Sequence, residues 1–157
     1  MKFTPGRVDD VMVRPLRKFV DADGWSCEFW RSDQMHEFQP EMGRITQSEP
    51  GRVRGPHEHE EQTDYFCFMG PGNFKFYVWD NRPESPTYGQ SQTFYMGQDE
   101  PATILVPPGV VHAYKNISST PGILFNSPDK LYGGPHYSKE IDEIDHAGVE
   151  DSPFVVE

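Results

Sequence analysis

The sequence predicts an all-β fold of the sandwich or barrel type, and three observations predict it. Fifteen prolines and fourteen glycines are scattered along 157 residues rather than clustered, so turns recur throughout. Aromatic residues make up 13% of the chain and sit in short apolar segments that alternate with turn residues. Helical periodicity is nearly absent, which leaves sheets as the way to bury those segments.

The elements follow in order. A strand is expected from Trp25 to Arg31 after the breaker Ala22-Asp23-Gly24, and another from Gly43 to Gln47, closed by Ser48-Glu49-Pro50-Gly51. Strands from Arg52 to His59 and from Asp64 to Met69 come next. Gly70-Pro71-Gly72-Asn73 then turns the chain into Phe74 to Trp79. In that strand Phe74, Phe76 and Val78 alternate with Lys75, Tyr77 and Trp79, so it is apolar on much of both faces and reads as a central core strand or one at a subunit contact. Thr93 to Met96, Thr103 to Val106, Val110 to Tyr114 and Gly122 to Phe125 complete the set, with Asn81-Arg82-Pro83 and Pro107-Pro108-Gly109 between them. The tail differs. Ser138 is placed to cap a short helix through Asp145 with Ile141 and Ile144 on one face, followed by an acidic segment to Glu157. No repeat or linker divides the chain, so residues 1–157 are expected to form one domain with its core between about 19 and 137.

Charge narrows the function. A formal net charge of −11 and a pI near 4.9 exclude nucleic acid and anionic membrane surfaces as partners, because either needs a basic face. A small anionic ligand remains open if the site is locally basic, and Arg44, Arg52, Arg54 and Arg82 supply that option. Cys27 and Cys67 fall in apolar runs without disulfide spacing and read as buried free thiols. With no signal-peptide core at the N-terminus and no membrane span, the expected location is cytoplasmic.

The chemistry concentrates in Gly51 to Asp64. His57 and His59, two residues apart on a strand, leave the same face about 6–7 Å apart and can converge on one ion. A third histidine, His112, follows the turn Pro107-Pro108-Gly109. Asp64 has the wrong parity to join them on an uninterrupted strand, so a turn over Glu60-Glu61-Gln62-Thr63 is required. Elsewhere the plain readings apply: His36, His136 and His146 as solvated, Glu58 to Glu61 as a largely solvated face, Tyr132 and Tyr137 as packing residues, Phe66 and Phe68 as core.

His57-Glu58-His59 with Asp64, together with Pro107-x-Gly109-x-x-His112-x-x-x-Asn116, resembles the two motifs of the cupin superfamily, which implies a double-stranded β-helix or jelly roll. Asp64 stands where cupins usually carry Glu. Three further stretches are similar, in order, to the dTDP-4-dehydrorhamnose 3,5-epimerase family: Asp21 to Glu28, Gly51 to His57, and Val78 to Gly89. That resemblance implies His57 as general base, Arg54 as a contact to sugar-nucleotide phosphates, Glu28 as an acidic lining residue and His112 as a second active-site histidine. It also implies a homodimer, with the N-terminal segment crossing to the partner sheet. Three positions depart from the pattern. Asp64 replaces the family's lysine, Phe125 stands for its catalytic tyrosine, and Asp23 for an arginine.

Epimerisation beside a ketone needs a base on one face, a donor to the enolate oxygen and an acid on the other face. Phe125 cannot donate a proton, and Asp64 puts negative charge where the enolate would need positive, so the family's metal-free mechanism is not expected to run unchanged. The same substitution completes a metal site. His57, His59, Asp64 and His112 give three neutral nitrogens and one carboxylate oxygen, suited to Fe(II), Mn(II), Ni(II) or Zn(II). Glu28 or Glu61 would then be the base. Three functions follow: an epimerase or ketoisomerase acting on a keto-sugar, nucleotide-linked, which is preferred; a metal-dependent oxygenase or lyase acting on a small organic molecule; and a non-catalytic ligand-binding cupin.

Overall fold

The computed structural model describes residues 2–157, and its strands in chain order are β1 (Thr4–Pro5), β2 (Met12–Pro15), β3 (Phe19–Asp21), β4 (Gly24–Ser26), β5 (Arg44–Ser48), β6 (Val53–Glu58), β7 (Asp64–Phe68), β8 (Asn73–Asp80), β9 (Gln90–Gly97), β10 (Ala102–Val106), β11 (Val110–Asn116), β12 (Gly122–Asn126) and β13 (Ile144–Asp145). Six strands in the order β1-β9-β8-β11-β6-β13 form one sheet, and five in the order β2-β10-β7-β12-β5 form the other. Sequence neighbours are rarely sheet neighbours, as a jelly roll requires. The core lies between the sheets. It draws Phe74, Phe76, Val78 and Val110 from the first and Phe66, Phe68, Ile104 and Leu124 from the second.

β8 is buried on both faces within one chain. Its outer residues Tyr77 and Trp79 stack at 5.7 Å and are covered by Phe154, 5.8 Å from Trp79, with Phe3 and Val156 beside them. The tail is therefore a second, smaller core rather than a loose acidic segment. Of the cysteines only Cys67 is buried, where desolvation pushes its thiol up to about 12; Cys27 is half-buried, and both are free.

Four expectations about elements are corrected. No helix forms over 138–145; Pro135–Tyr137 make one 3-10 turn and Ile144–Asp145 pair with Glu58 and His57 of β6. Ile141 and Ile144 are exposed, so a helix there would have had no apolar face to bury, whereas β6 offered an unpaired edge. The strand expected from Trp25 to Arg31 stops at Ser26, because β4 pairs only with β3, in a hairpin whose turn is held by Asp23 N–H donating to Asp21 Oδ1 at 2.9 Å. Strands also form ahead of residue 19, where β1 joins β9 and β2 joins β10. Finally, β9 begins at Gln90, three residues earlier than its apolar run. Among the described residues, no helix is long and apolar enough to cross a membrane.

Candidate active site

The site is built on the pairing of β6 with β11. His57 lies opposite His112 and Arg54 opposite Tyr114, so three residues of β6 span two of β11 and the ladder is bulged at Gly55-Pro56. His112 and Tyr114 share the inner face of β11 by strand alternation. The bulge consequently turns Arg54 inward alongside His57, which an even strand would forbid. Gly55 is what permits it. Its φ is +81°, and a Cβ there would lie 2.5 Å from the backbone oxygen of His112.

After β6 the chain turns over residues 59–63 and returns as β7, which brings Asp64 to the face of His57 and His59. The ligating atoms of His57, His59, Asp64 and His112 all lie within 4.8 Å of one another. His59 and Asp64 are buried, and His112 is 1% exposed. Each hydrogen bond around them has a direction that can be assigned. Val110 O accepts from His112 Nδ1 at 3.2 Å, and Asp142 O accepts from His59 Nδ1. A carbonyl only accepts, so both rings carry their proton on Nδ1 and turn Nε2 toward Asp64 Oδ2, at 3.0 Å from His59 and 3.2 Å from His112. Asp64 Oδ1 is held by amide donors, Gln62 Nε2 at 3.0 Å and Asn126 Nδ2 at 2.9 Å.

Two bare nitrogens facing one carboxylate repel unless a proton or a cation lies between them. His112 Nε2 is a buried atom without a hydrogen-bond partner, which marks where positive charge is wanted. The electrostatics agree. Burial opposes the Asp64 charge, yet His112 and His59 hold its carboxyl well below the usual carboxylate range. For His59 burial is the largest influence and disfavours protonation, but the bond and charge of Asp64 together with those of Asp142 outweigh it and the imidazole is raised. His57 goes the other way: burial first, then His112, pushes it down to about 3, so it is neutral at pH 7 and keeps a bare ring nitrogen.

A cavity of about 400 Å³ opens above the cluster. His57, His59 and Asp64 are among its lining residues. Arg54 and Arg44 line the cavity with Tyr132, the Arg44 guanidinium lying 4.3 Å over the Tyr132 ring. Tyr132 thus packs, and does so in the cavity wall. Tyr114, also lining, has its phenol pushed up to about 12 by burial against the opposing pull of Arg54, so it remains a hydrogen-bond donor.

Several sequence-predicted residues lie elsewhere. Arg82 is not available to substrate: Nε and Nη2 donate to Asp80 at 2.9 Å, Nη1 to Asp10 at 2.9 Å and Nη2 also to Asp9 O at 2.8 Å. Glu28 is exposed and paired with Arg31 at 3.1 Å, and Glu61 is exposed outside the cavity; Glu143 and Asp145 line it instead. Phe125 faces away from the cavity, 6.3 Å from Phe29, while its neighbours Leu124 and Asn126 point in. The residue that meets the cluster from β12 is therefore Asn126. Glu58 is not solvated either. It is 7% exposed and accepts from Asn81 at 2.9 Å, with His146 2.8 Å away, so His146 is half-buried and paired rather than free.

Sequence reasoning missed Asp145, Glu143, Asn126, Gln62 and Asp142. Tyr114 carried a signal, standing two residues from His112 on the same strand. Asp145 carried none, because its approach depends on β13 pairing across 87 residues of chain.

A jelly roll with three histidines and a carboxylate gathered at one end of its core is a cupin. The family model for dTDP-4-dehydrorhamnose 3,5-epimerase matches residues 5–146. The chain is 36% identical over 127 residues, 80% of its length and 81% of the relative's, to "Probable low-salt glycan biosynthesis epimerase Agl13" of Haloferax volcanii. It is 33% identical over 114 residues, 73% of its length and 75% of the relative's, to spore coat polysaccharide biosynthesis protein SpsL of Bacillus subtilis. The crystal structure of a dTDP sugar isomerase from Desulfovibrio desulfuricans G20 superposes with a TM-score of 0.79 at 22% identity, covering 93% of this chain and 88% of that one, which shows the shared fold. The chain belongs to the dTDP-4-dehydrorhamnose 3,5-epimerase family and is an enzyme of the sugar-epimerase class.

Proposed function

We propose that this protein epimerises or isomerises a nucleotide-linked keto-sugar in the cavity above His57, with a divalent transition metal held by His57, His59, Asp64 and His112. The observation that carries the reading is a single cavity whose lining includes both Arg44 and Arg54 and, from the histidine–carboxylate cluster, His57, His59 and Asp64. Arginine forks suit a diphosphate. A sugar attached to that diphosphate would then reach the cluster. The family description and the dTDP sugar isomerase fold support the same substrate class.

The donor set fits a metal by its chemistry, since His59 and His112, both protonated on Nδ1, present bare Nε2 atoms beside a carboxylate, and that of His112 has no hydrogen-bond partner. A bound ion supplies Lewis acidity toward the ketone oxygen, the charge that Asp64 in place of lysine removed. The chain's own groups divide the remaining work. Tyr114 offers a neutral O–H donor to the cavity, and Asp145, opposite His57 on β13, with Glu143 supplies carboxylates able to take up and return the proton. These replace Glu28 and Glu61 in that role. With no metal, His57 is the base.

A second copy of the chain fits the exposed β3–β4 hairpin, whose Phe19, Val20 and Trp25 are 47%, 77% and 52% exposed; a homodimer would cover them. We take residues 1–157 as one folding unit and, with both cysteines free, place it in the cytosol. The test is calorimetric. dTDP should bind the wild type and lose about tenfold or more in affinity in Arg54→Ala, whereas no heat with dTDP or any dTDP-sugar would sink the nucleotide reading. Oxygen uptake by the Fe(II)-loaded protein would instead support the oxygenase alternative that the ligand set also fits.

A further inference from the structure

We propose that Asp142 is a positioning residue that fixes the ring of His59 from outside the cavity. The inference deepens the reading above, because it gives a role to a group that meets neither sugar nor metal. Asp142 does two things at once. Its carboxylate accepts three consecutive backbone N–H groups, from Glu60 at 2.8 Å, Glu61 at 2.9 Å and Gln62 at 2.9 Å, and so gathers the turn between β6 and β7. Successive N–H groups converging on one anion form a nest. Its backbone carbonyl accepts from His59 Nδ1 and thereby presents Nε2 to Asp64.

The segment that follows Asp142 is anchored to β6 from residue 144 onward, and Asp142 itself is tied to the turn through its carboxylate. Ile144 and Asp145 pair with Glu58 and His57, His146 N–H donates to Pro56 O at 2.9 Å, and the His146 ring sits 2.8 Å from Glu58 Oε1. The same turn decides whether Asp64 returns on the histidine face, and Gln62, the last residue in the nest, places its amide on both His59 and Asp64, at 3.2 and 3.0 Å. Asp142 therefore acts twice from outside the cavity: its backbone carbonyl sets the tautomer of His59, and its carboxylate locks that carbonyl to the turn that carries His59 and returns Gln62 and Asp64. A histidine ligand is ordinarily oriented through its second nitrogen, and loss of that partner commonly costs about 10–100-fold in metal affinity.

The experiment compares wild type with Asp142→Ala and Asp142→Asn by long-range 1H–15N correlation of the histidine rings in metal-free protein at alkaline pH, and by Mn(II) titration. In wild type His59 should be Nδ1-protonated. In Asp142→Ala it should average between tautomers while His112, held by Val110 O, stays unchanged and reports an intact barrel. Asp142→Asn should lie between them, and it carries the comparison if the alanine variant does not fold. Mn(II) affinity should fall about 10–100-fold in parallel. A His59 signal unchanged in the folded variants, or an Nε2-protonated His59 in wild type, overturns the inference. A fixed His59 in a wild type that binds no metal refutes the metal reading and leaves this one standing.

Discussion

Gly55→Ala strikes the feature that places Arg54 and His57 on one face. The new methyl would sit 2.5 Å from the His112 backbone oxygen and 3.1 Å from both His57 N and Nδ1, at a φ of +81°. A left-handed backbone costs a residue with Cβ about 1–2 kcal/mol. The carbonyl cannot swing aside because it belongs to β11, so overpacking adds about 1–3 kcal/mol. The sum, about 2–5 kcal/mol, is a large share of the roughly 5–15 kcal/mol that holds a domain together. In urea, at a slope of about 2 kcal/mol/M, the midpoint should drop by about 1–2.5 M. Relief comes only by opening the bulge, which rotates Arg54 out of the cavity, so the variant should also lose dTDP affinity measured by calorimetry on protein kept below its transition. A midpoint within about 0.3 M of wild type, with nucleotide binding intact, would refute the bulge as the device that sets the site.

Two further perturbations test the frame around the site. Asp80 is fully buried and accepts from Arg82, Ser85 and Thr87; burial opposes its charge, yet these bonds hold it at about 2 against an ordinary 3.8. A carboxyl depressed in the fold stabilises above its unfolded pKa, and that contribution, about 2 kcal/mol, is lost as pH falls from about 5 to 2. Urea midpoints taken over that range should therefore decline more steeply for wild type than for Asp80→Asn, and parallel declines would contradict the argument. Phe154→Ala removes the ring that covers Trp79 and lies 5.3 Å from Phe3. It should cost about 2–4 kcal/mol and shift tryptophan emission to the red, whereas unchanged stability and emission would mean the tail does not pack in solution.

How much of this was legible in the sequence depended on how far apart the partners stood. The inward pair His57 and His59 follows from strand alternation, and the turn that returns Asp64 follows from its parity; both are local arithmetic, and the structure brings the expected four residues together. Arg54 was legible as one of a basic cluster and through family resemblance but not through parity, because one extra residue at Gly55-Pro56 reverses the parity of everything before it. At Phe125 the resemblance pointed to a side chain on the far face of β12, whereas the next residue, Asn126, is the one that reaches Asp64. Arg82 looked available although Asp80, two residues away, takes its Nε and Nη2; only its further partners Asp9 and Asp10 are remote in sequence. The tail was the hardest stretch: Ile141 and Ile144 suit a helix face as well as an edge strand, and only the open edge of β6 decides between them.

The most direct measurement is the metal content of the purified, untagged chain by elemental analysis, after growth with Fe, Mn, Ni and Zn all supplied, beside Asp64→Ala and His112→Ala prepared in the same way. Four convergent donors, one of them an orphaned nitrogen, should hold about one transition-metal ion per chain in wild type, and both variants should fall well below it. A wild type without metal, or variants that retain the full content, would contradict a metal centre on these residues and return His57 to the role of free base.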